Sequence, residues 1–150
     1  MKIPAEFDEI RPYSPEELPA VFNELLADEQ FMQVALSMLG GMPKEQFQAA
    51  LLSCHTNLEV QKTFFYPLLK QLLAKCSKGC DMNVDALLDK NQQYTFISNH
   101  RDIVLDSALL SVMLVDNNFP TTVEIAIGDN LLIYPWIKKL VRINKSFIVQ

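Results

Sequence analysis

Glycine is scarce in this sequence, four in 150 residues, and cysteine is scarcer, with only Cys54, Cys76 and Cys80. So little glycine, with eight prolines, excludes a collagen-like or low-complexity chain. An odd, sparse set of thiols suits reduced cysteines better than a disulfide framework. Histidine is rarer again, His55 and His100 alone. Cys76 and Cys80 stand four apart, but a structural zinc needs four ligands, so neither a metal nor another cofactor is expected. Basic charge is also short. Thirteen Lys and Arg against eighteen Asp and Glu leave a net charge of -5, without the basic footprint that nucleic acid requires. No nucleic-acid partner is expected. No run reaches the roughly 18 apolar residues of a spanning helix, so membrane contact is expected to be peripheral. Residues 1–11 are charged and lack a signal peptide's apolar stretch, which predicts a cytoplasmic address, with room for peripheral contact at the inner membrane face.

What the sequence does have is apolar content: 49% of residues are hydrophobic and 21% charged, enough for a packed core. The first half is helical in pattern. Ser14 followed by Pro15, Glu16 and Glu17 reads as a helix start, with Phe22, Leu25 and Leu26 as its apolar stripe. Asp28 is placed to cap a second helix that Gly40-Gly41 ends. Pro43 opens a third, in which Phe47, Ala50, Leu51 and Cys54 share a face, as a core-facing helix requires. Asn57 is placed to cap a fourth running to about Lys78, which Pro67 must kink or restart. Its leucines alternate with Lys62, Lys70 and Lys75, the pattern of ordinary core packing, with a lipid-facing role, as an acyl-chain groove or a membrane-resting helix, as the alternative. His55 lies within this amphipathic run and reads as structural.

The pattern changes near Tyr94. Tyr94 to Ser98 is a short aromatic and apolar run predicting a strand, and 103–113 follow a helical period. Thr122 to Ile127 predicts a second strand, 131–141 a helix limited by Pro135, and Ser146 to Val149 a third strand. The predicted class is α/β: an N-terminal helical region over 1–90, then a βαβαβ, partly parallel sheet flanked by helices over 91–150.

In such a sheet, ligands bind outside the carboxyl ends of strands. Asn99, His100, Arg101, Asp102 and Asp106 occupy that place after the first strand. A histidine beside a carboxylate is a general-base unit, the imidazole taking a proton while the carboxylate orients it. Asp102 also suits a helix N-cap. Gly128, Asp129 and Asn130 form the turn after the second strand, as part of an acceptor pocket or as a turn and cap.

The run Ser98-Asn99-His100-Arg101-Asp102-Ile103-Val104-Leu105-Asp106-Ser107 resembles the first motif of the glycerolipid acyltransferases, particularly of the bacterial glycerol-3-phosphate type, with Leu109-Leu110-Ser111 following. Gly128-Asp129-Asn130-Leu131 resembles the segment before that family's second motif, and Ser146 to Gln150 the opening of it. The resemblance covers about 94–150. It departs in spacing: five residues, not four, separate His100 from Asp106, so the corner must stay irregular to about Asp102. Either Asp102 or Asp106 then serves as the histidine's partner.

The resemblance implies an acyltransferase acting in phospholipid synthesis. The donor would be acyl-CoA or acyl carrier protein and the acceptor glycerol 3-phosphate or lysophosphatidate. His100 and Asp106 would be catalytic, and Asn99, Arg101, Asp102, Gly128, Asp129 and Asn130 substrate-binding. The family's phosphate-gripping Arg and Glu-Gly motif lie beyond what Gln150 reaches, which implies the N-terminal part of a longer enzyme. The rival reading is a catalytically incomplete lipid- or partner-binding module. A hydrolase is disfavoured because no Gly-x-Ser-x-Gly elbow is present.

Overall fold

The computed structural model describes residues 3–86, 89–99, 101–102 and 105–150. It is a mixed structure of helices and a two-stranded parallel sheet. The chain divides into two compact units, Met1–Phe64 with Glu124–Gln150, and Phe65–Val123.

In the first unit, local signals set the helix ends. Helix α1 (Leu18–Ala27) follows a turn that Glu17 holds, its carboxylate accepting from the Ser14 N–H at 2.7 Å. Asp28 caps α2 (Glu29–Met38) by accepting from the Phe31 N–H at 2.9 Å. Gly40 and Gly41, both at positive φ, end α2, with the Gly41 N–H reaching back to the Leu36 carbonyl at 2.9 Å. Only glycine takes this left-handed C-terminal turn without steric cost. Helix α3 (Lys44–Leu52) buries Phe47 and Leu51, with Cys54 buried just beyond it. The cap of α4 (Asn57–Val60) is Thr56, one residue before the expected Asn57, because the Thr56 hydroxyl accepts from the Glu59 N–H at 3.1 Å. Gln61–Phe65 then widens into a π-helical turn. Pro67 explains it: a proline has no N–H to give the preceding turn and its ring crowds the carbonyl four residues back.

The sheet pairs β1 (Ile125–Gly128) with β2 (Ser146–Val149) in parallel, Ile125 opposite Ser146 and Gly128 opposite Val149. Helix α7 (Pro135–Ile143) joins them and starts at Pro135, where a fixed φ favours the first helical turn. Leu18, Phe22, Leu25 and Ile143 form the centre of this unit's core. An aromatic series extends it: Trp136 meets Phe31 at 5.9 Å, Phe31 meets Phe47 at 6.2 Å, and Phe47 meets Phe64 at 5.4 Å.

The segment before α1 is fastened by charge. Arg142 of α7 is buried, yet its guanidinium donates to the carbonyls of Arg11, at 2.7 Å, and Asp8, and lies 3.9 Å from the Tyr13 ring centre. The Ile148 N–H of β2 donates to the Ile10 carbonyl at 2.8 Å, so the same segment covers the outer edge of the sheet there. Arg11 in turn donates to Glu17 at 2.7 Å and to Asp8 at 2.8 Å. The Arg11 hydrogen bond, against the opposing effect of burial, holds the Glu17 carboxyl down to about 2. A depressed carboxyl stabilises the fold above its ordinary value of 4.5, and that contribution is lost as pH falls from there towards about 2. Glu17→Gln is therefore expected to lower stability on the neutral plateau and to flatten the acid limb over that window, the variant and the parent converging as pH approaches about 2. Urea midpoints measured across the acid range check this, and an unchanged acid slope would sink it.

The second unit contains α5 (Tyr66–Cys76) and α6 (Leu105–Asp116), which pack together. Asp116 accepts from Tyr66 and, at 2.9 Å, from Lys70, joining the two helices. Burial works against its charge, but these two hydrogen bonds outweigh it and keep its carboxyl below the ordinary range. Val112, Met113 and Leu114 are the buried residues of α6, whereas no residue of α5 is buried and Leu72 is 41% exposed. The core-facing role expected for the α5 leucines is thus met only by partial burial.

The sheet differs from the one expected. Tyr94 to Ser98 pairs with no strand among the described residues, and Ile97 is 92% exposed. A run of aromatic and apolar residues fits a strand only where a neighbour supplies the ladder and a face to bury, and neither is present at this segment. The second strand starts at Ile125, three residues later than the pattern implied, while Ser146–Val149 falls where expected.

Candidate functional site

The corner after Ser98 leads into α6 and belongs to the second unit. His100, the expected base, lies outside the described residues, as do Ile103 and Val104. Asn99, Arg101 and Asp102 are exposed, in irregular chain. Helix α6 is established at Leu105.

Two carboxylates lace this corner. Asp102 Oδ1 accepts from the Leu105 N–H at 2.7 Å, the contact of a helix N-cap. Asp106 Oδ2 reaches back to the N–H groups of Arg101, at 2.7 Å, and Asp102, at 3.0 Å. The pattern is a reciprocal capping box, in which a residue on the first turn satisfies donors before the cap. The capping reading of Asp102 therefore holds. Asp106 fixes the main chain immediately after His100, which makes it a positioning group whatever else it contacts. The sequence signal was available, an Asp followed four residues later by an Asp at a helix start.

Each lace can be tested alone. Asp106→Ala is expected to speed hydrogen exchange at the Arg101 and Asp102 amides, and Asp102→Ala to speed it at Leu105 and lower stability by about 1 kcal/mol. Exchange followed by NMR reads both, and equal protection in the variants would refute the capping box.

The other expected site residues belong to the first unit. Gly128 ends β1, and Asp129–Leu131 form a single 3-10 turn closed by the Leu132 N–H on the Asp129 carbonyl at 3.0 Å. Asn130 folds back over Gly128, so that a Cβ there would meet Asn130 Oδ1 at 2.5 Å. Gly128 has an ordinary backbone, φ -71, so its conformation does not require glycine, and a Cβ would only have to turn the Asn130 side chain aside. Both strands end at this side, Gly128 beside Val149, which puts the turn outside the carboxyl ends of the parallel pair.

No family model matches this chain, and no curated protein or solved structure matches it either. The chemistry has to be argued from the residues themselves.

Among the described residues no group of three or more His, Cys, Asp or Glu side chains is placed to hold a metal ion. Nor, among them, is any helix long and apolar enough to cross a membrane. Cys54 is buried beside Thr63, and burial pushes its thiol up, away from a reactive thiolate. Cys76 and Cys80 are exposed and free. A cavity of about 570 Å³ lies at the opposite end of the sheet, lined by Arg11, Tyr13, Asn57, Glu124 and Lys145 among others. Its Arg11 is already taken by Glu17 and Asp8, so it offers no open anion site there.

Proposed function

We propose that this chain carries the base-bearing part of an acyltransferase site of the glycerolipid type. In this reading His100 removes the proton from an acceptor hydroxyl as the oxygen attacks the carbonyl of an acyl thioester. The carbon–sulfur bond then breaks, and the thiol of coenzyme A or acyl carrier protein leaves with the proton. No acyl-enzyme forms. The observation that carries the reading is the Asp102–Asp106 capping box: it ties down the peptide N–H groups directly after His100. A general base needs a fixed approach to its proton, and main chain tied down directly after it favours one.

Arg101, exposed and next to the base, is assigned to the acceptor's phosphate, where a guanidinium makes paired hydrogen bonds. Asn99 and Asp102 flank the same point, and Gly128, Asp129 and Asn130 are assigned to the acceptor pocket. The reading also includes the fuller sheet: Tyr94–Ser98 would join the strand pair, with residues 91–150 forming the first part of the catalytic domain and α6 as the crossover. The acceptor is glycerol 3-phosphate or lysophosphatidate.

The deciding experiment is transfer from radiolabelled acyl-CoA and acyl carrier protein to both acceptors by this chain. Labelled phospholipid precursor is the expected product. Folded protein that transfers no acyl group with any pair would overturn the reading and leave a binding module in its place.

A further inference from the structure

The cavity at the amino ends of the two strands is walled in part by a lysine that stands where the backbone favours glycine. Lys145 follows the Asn144 cap of α7 at φ 63, the left-handed conformation in which helices close. A side chain there is strained, whereas glycine takes the conformation without steric cost. Both main-chain groups of Lys145 are nevertheless engaged. Its N–H donates to the Arg142 carbonyl at 3.2 Å, and its carbonyl accepts from the Ile125 N–H at 3.1 Å. The strained residue is thus held between the end of α7 and the sheet, and its side chain lines the cavity.

The surroundings favour an amine over an ammonium. Burial pushes the Lys145 ammonium down, against the pull of the Glu124 carboxylate. Glu124 stands across the ladder, one residue before Ile125 as Lys145 is one before Ser146. The cavity, about 570 Å³, has the size that takes a small organic molecule. Ile3, Ala5 and Pro12 give it an apolar wall. Tyr13 gives it a hydrogen-bond donor, because burial pushes the phenol up and keeps it protonated. The charges around it are matched, Arg11 by Asp8 and Glu17, and Lys145 by Glu124, so a neutral ligand fits better than an ion.

We infer that this cavity is a covalent site for neutral aldehydes, which Lys145 holds as an imine. The amine nitrogen attacks the carbonyl carbon, the carbon–oxygen π pair moves to oxygen, and one proton passes from nitrogen to oxygen to give a carbinolamine. The hydroxyl then leaves with the second nitrogen proton as one water, and the carbon–nitrogen double bond remains. Glu124 carries the protons between nitrogen and oxygen, and Tyr13 donates to the oxygen. The site lies wholly in the first unit and needs nothing from the corner at His100.

Benzaldehyde with cyanoborohydride, whose hydride reduces an imine to a stable secondary amine, marks the reacting lysines for peptide mass spectrometry. Lys145 is expected to be labelled about fivefold faster than the exposed Lys44 and Lys75, although it is the less accessible. Lys145→Gly is expected to abolish the fast labelling and to raise the melting temperature, since glycine relieves the backbone. Lys145→Arg is expected to abolish it with the charge retained. Ala5→Trp, which fills the cavity and leaves Lys145 in place, is expected to slow labelling of Lys145 severalfold and that of Lys44 not at all. Labelling that merely follows exposure would overturn the inference, and so would an Ala5→Trp variant that labels Lys145 at the parent rate.

Discussion

Replacing His100 by alanine is expected to lower kcat/KM for acyl transfer about a thousandfold, since a positioned general base contributes roughly 10²–10⁴-fold. The fold should be untouched, because the corner's fixed points are Asp102 and Asp106, which the substitution leaves in place. Circular dichroism and a melting curve matched to the parent establish that. The two carboxylates then separate the roles around the base. If Asp106 orients the imidazole as well as the main chain, Asp106→Asn should lose most of the activity, while Asp102→Asn, which retains an N-capping side chain, should lose little. The reverse order would make Asp102 the partner. Full activity in His100→Ala would end the general-base assignment whatever the carboxylate variants do.

Loss of Arg142 should weaken the first unit strongly, and Arg142→Ala is expected to cost about 3 kcal/mol. Hydrogen bonds from a charged donor are worth roughly 1.5–3 kcal/mol each, and a desolvated cation over an aromatic ring about 2 kcal/mol. These are not additive, so the expected sum is smaller than the parts. The substitution leaves the Arg11 and Asp8 carbonyls without their donor and the Tyr13 ring without its cation. It also frees the segment that lies along the edge of β2 through Ile10. Arg142→Lys should recover only part of the loss, because an ammonium cannot reach both carbonyls while stacking flat on the ring. Urea denaturation measures both variants, and a loss below about 1 kcal/mol for Arg142→Ala would show that the fork is incidental.

Helix ends were legible because they obey rules confined to a few residues. Asp28 caps α2 and Gly40-Gly41 closes it, and both can be read without knowing what the helix packs against, whereas α7 starts at Pro135, four residues later than the pattern over 131–141 implied. The break at Pro67 was legible too, though not its form, a π-helical turn over Gln61–Phe65. The capping box of the candidate corner has the same local character, and Asp102 as a cap was written in its place before Leu105. Asp106 was legible as a carboxylate near His100, but its grip on two main-chain donors depends on how the corner turns, which a spacing alone leaves open.

Residues whose roles depend on distant partners were read less well. Tyr94 to Ser98 has the composition of a strand and is not one here, since strand formation needs a neighbour's hydrogen bonds. Arg142 looked like one more basic residue at a helix end, and only the approach of residues 8–13, more than a hundred positions away, makes it a buried anchor. Ile133 and Tyr134 likewise differ in no local way from core residues; what sets them apart is their exposure in the first unit. The sequence by itself therefore determined several helix ends, those at Asp28 and Gly40-Gly41 above all, because they depend on side chains within one turn. The tertiary structure decided strand pairing, the buried cation and the exposure of Ile133 and Tyr134, because each is set by what the chain brings together from afar.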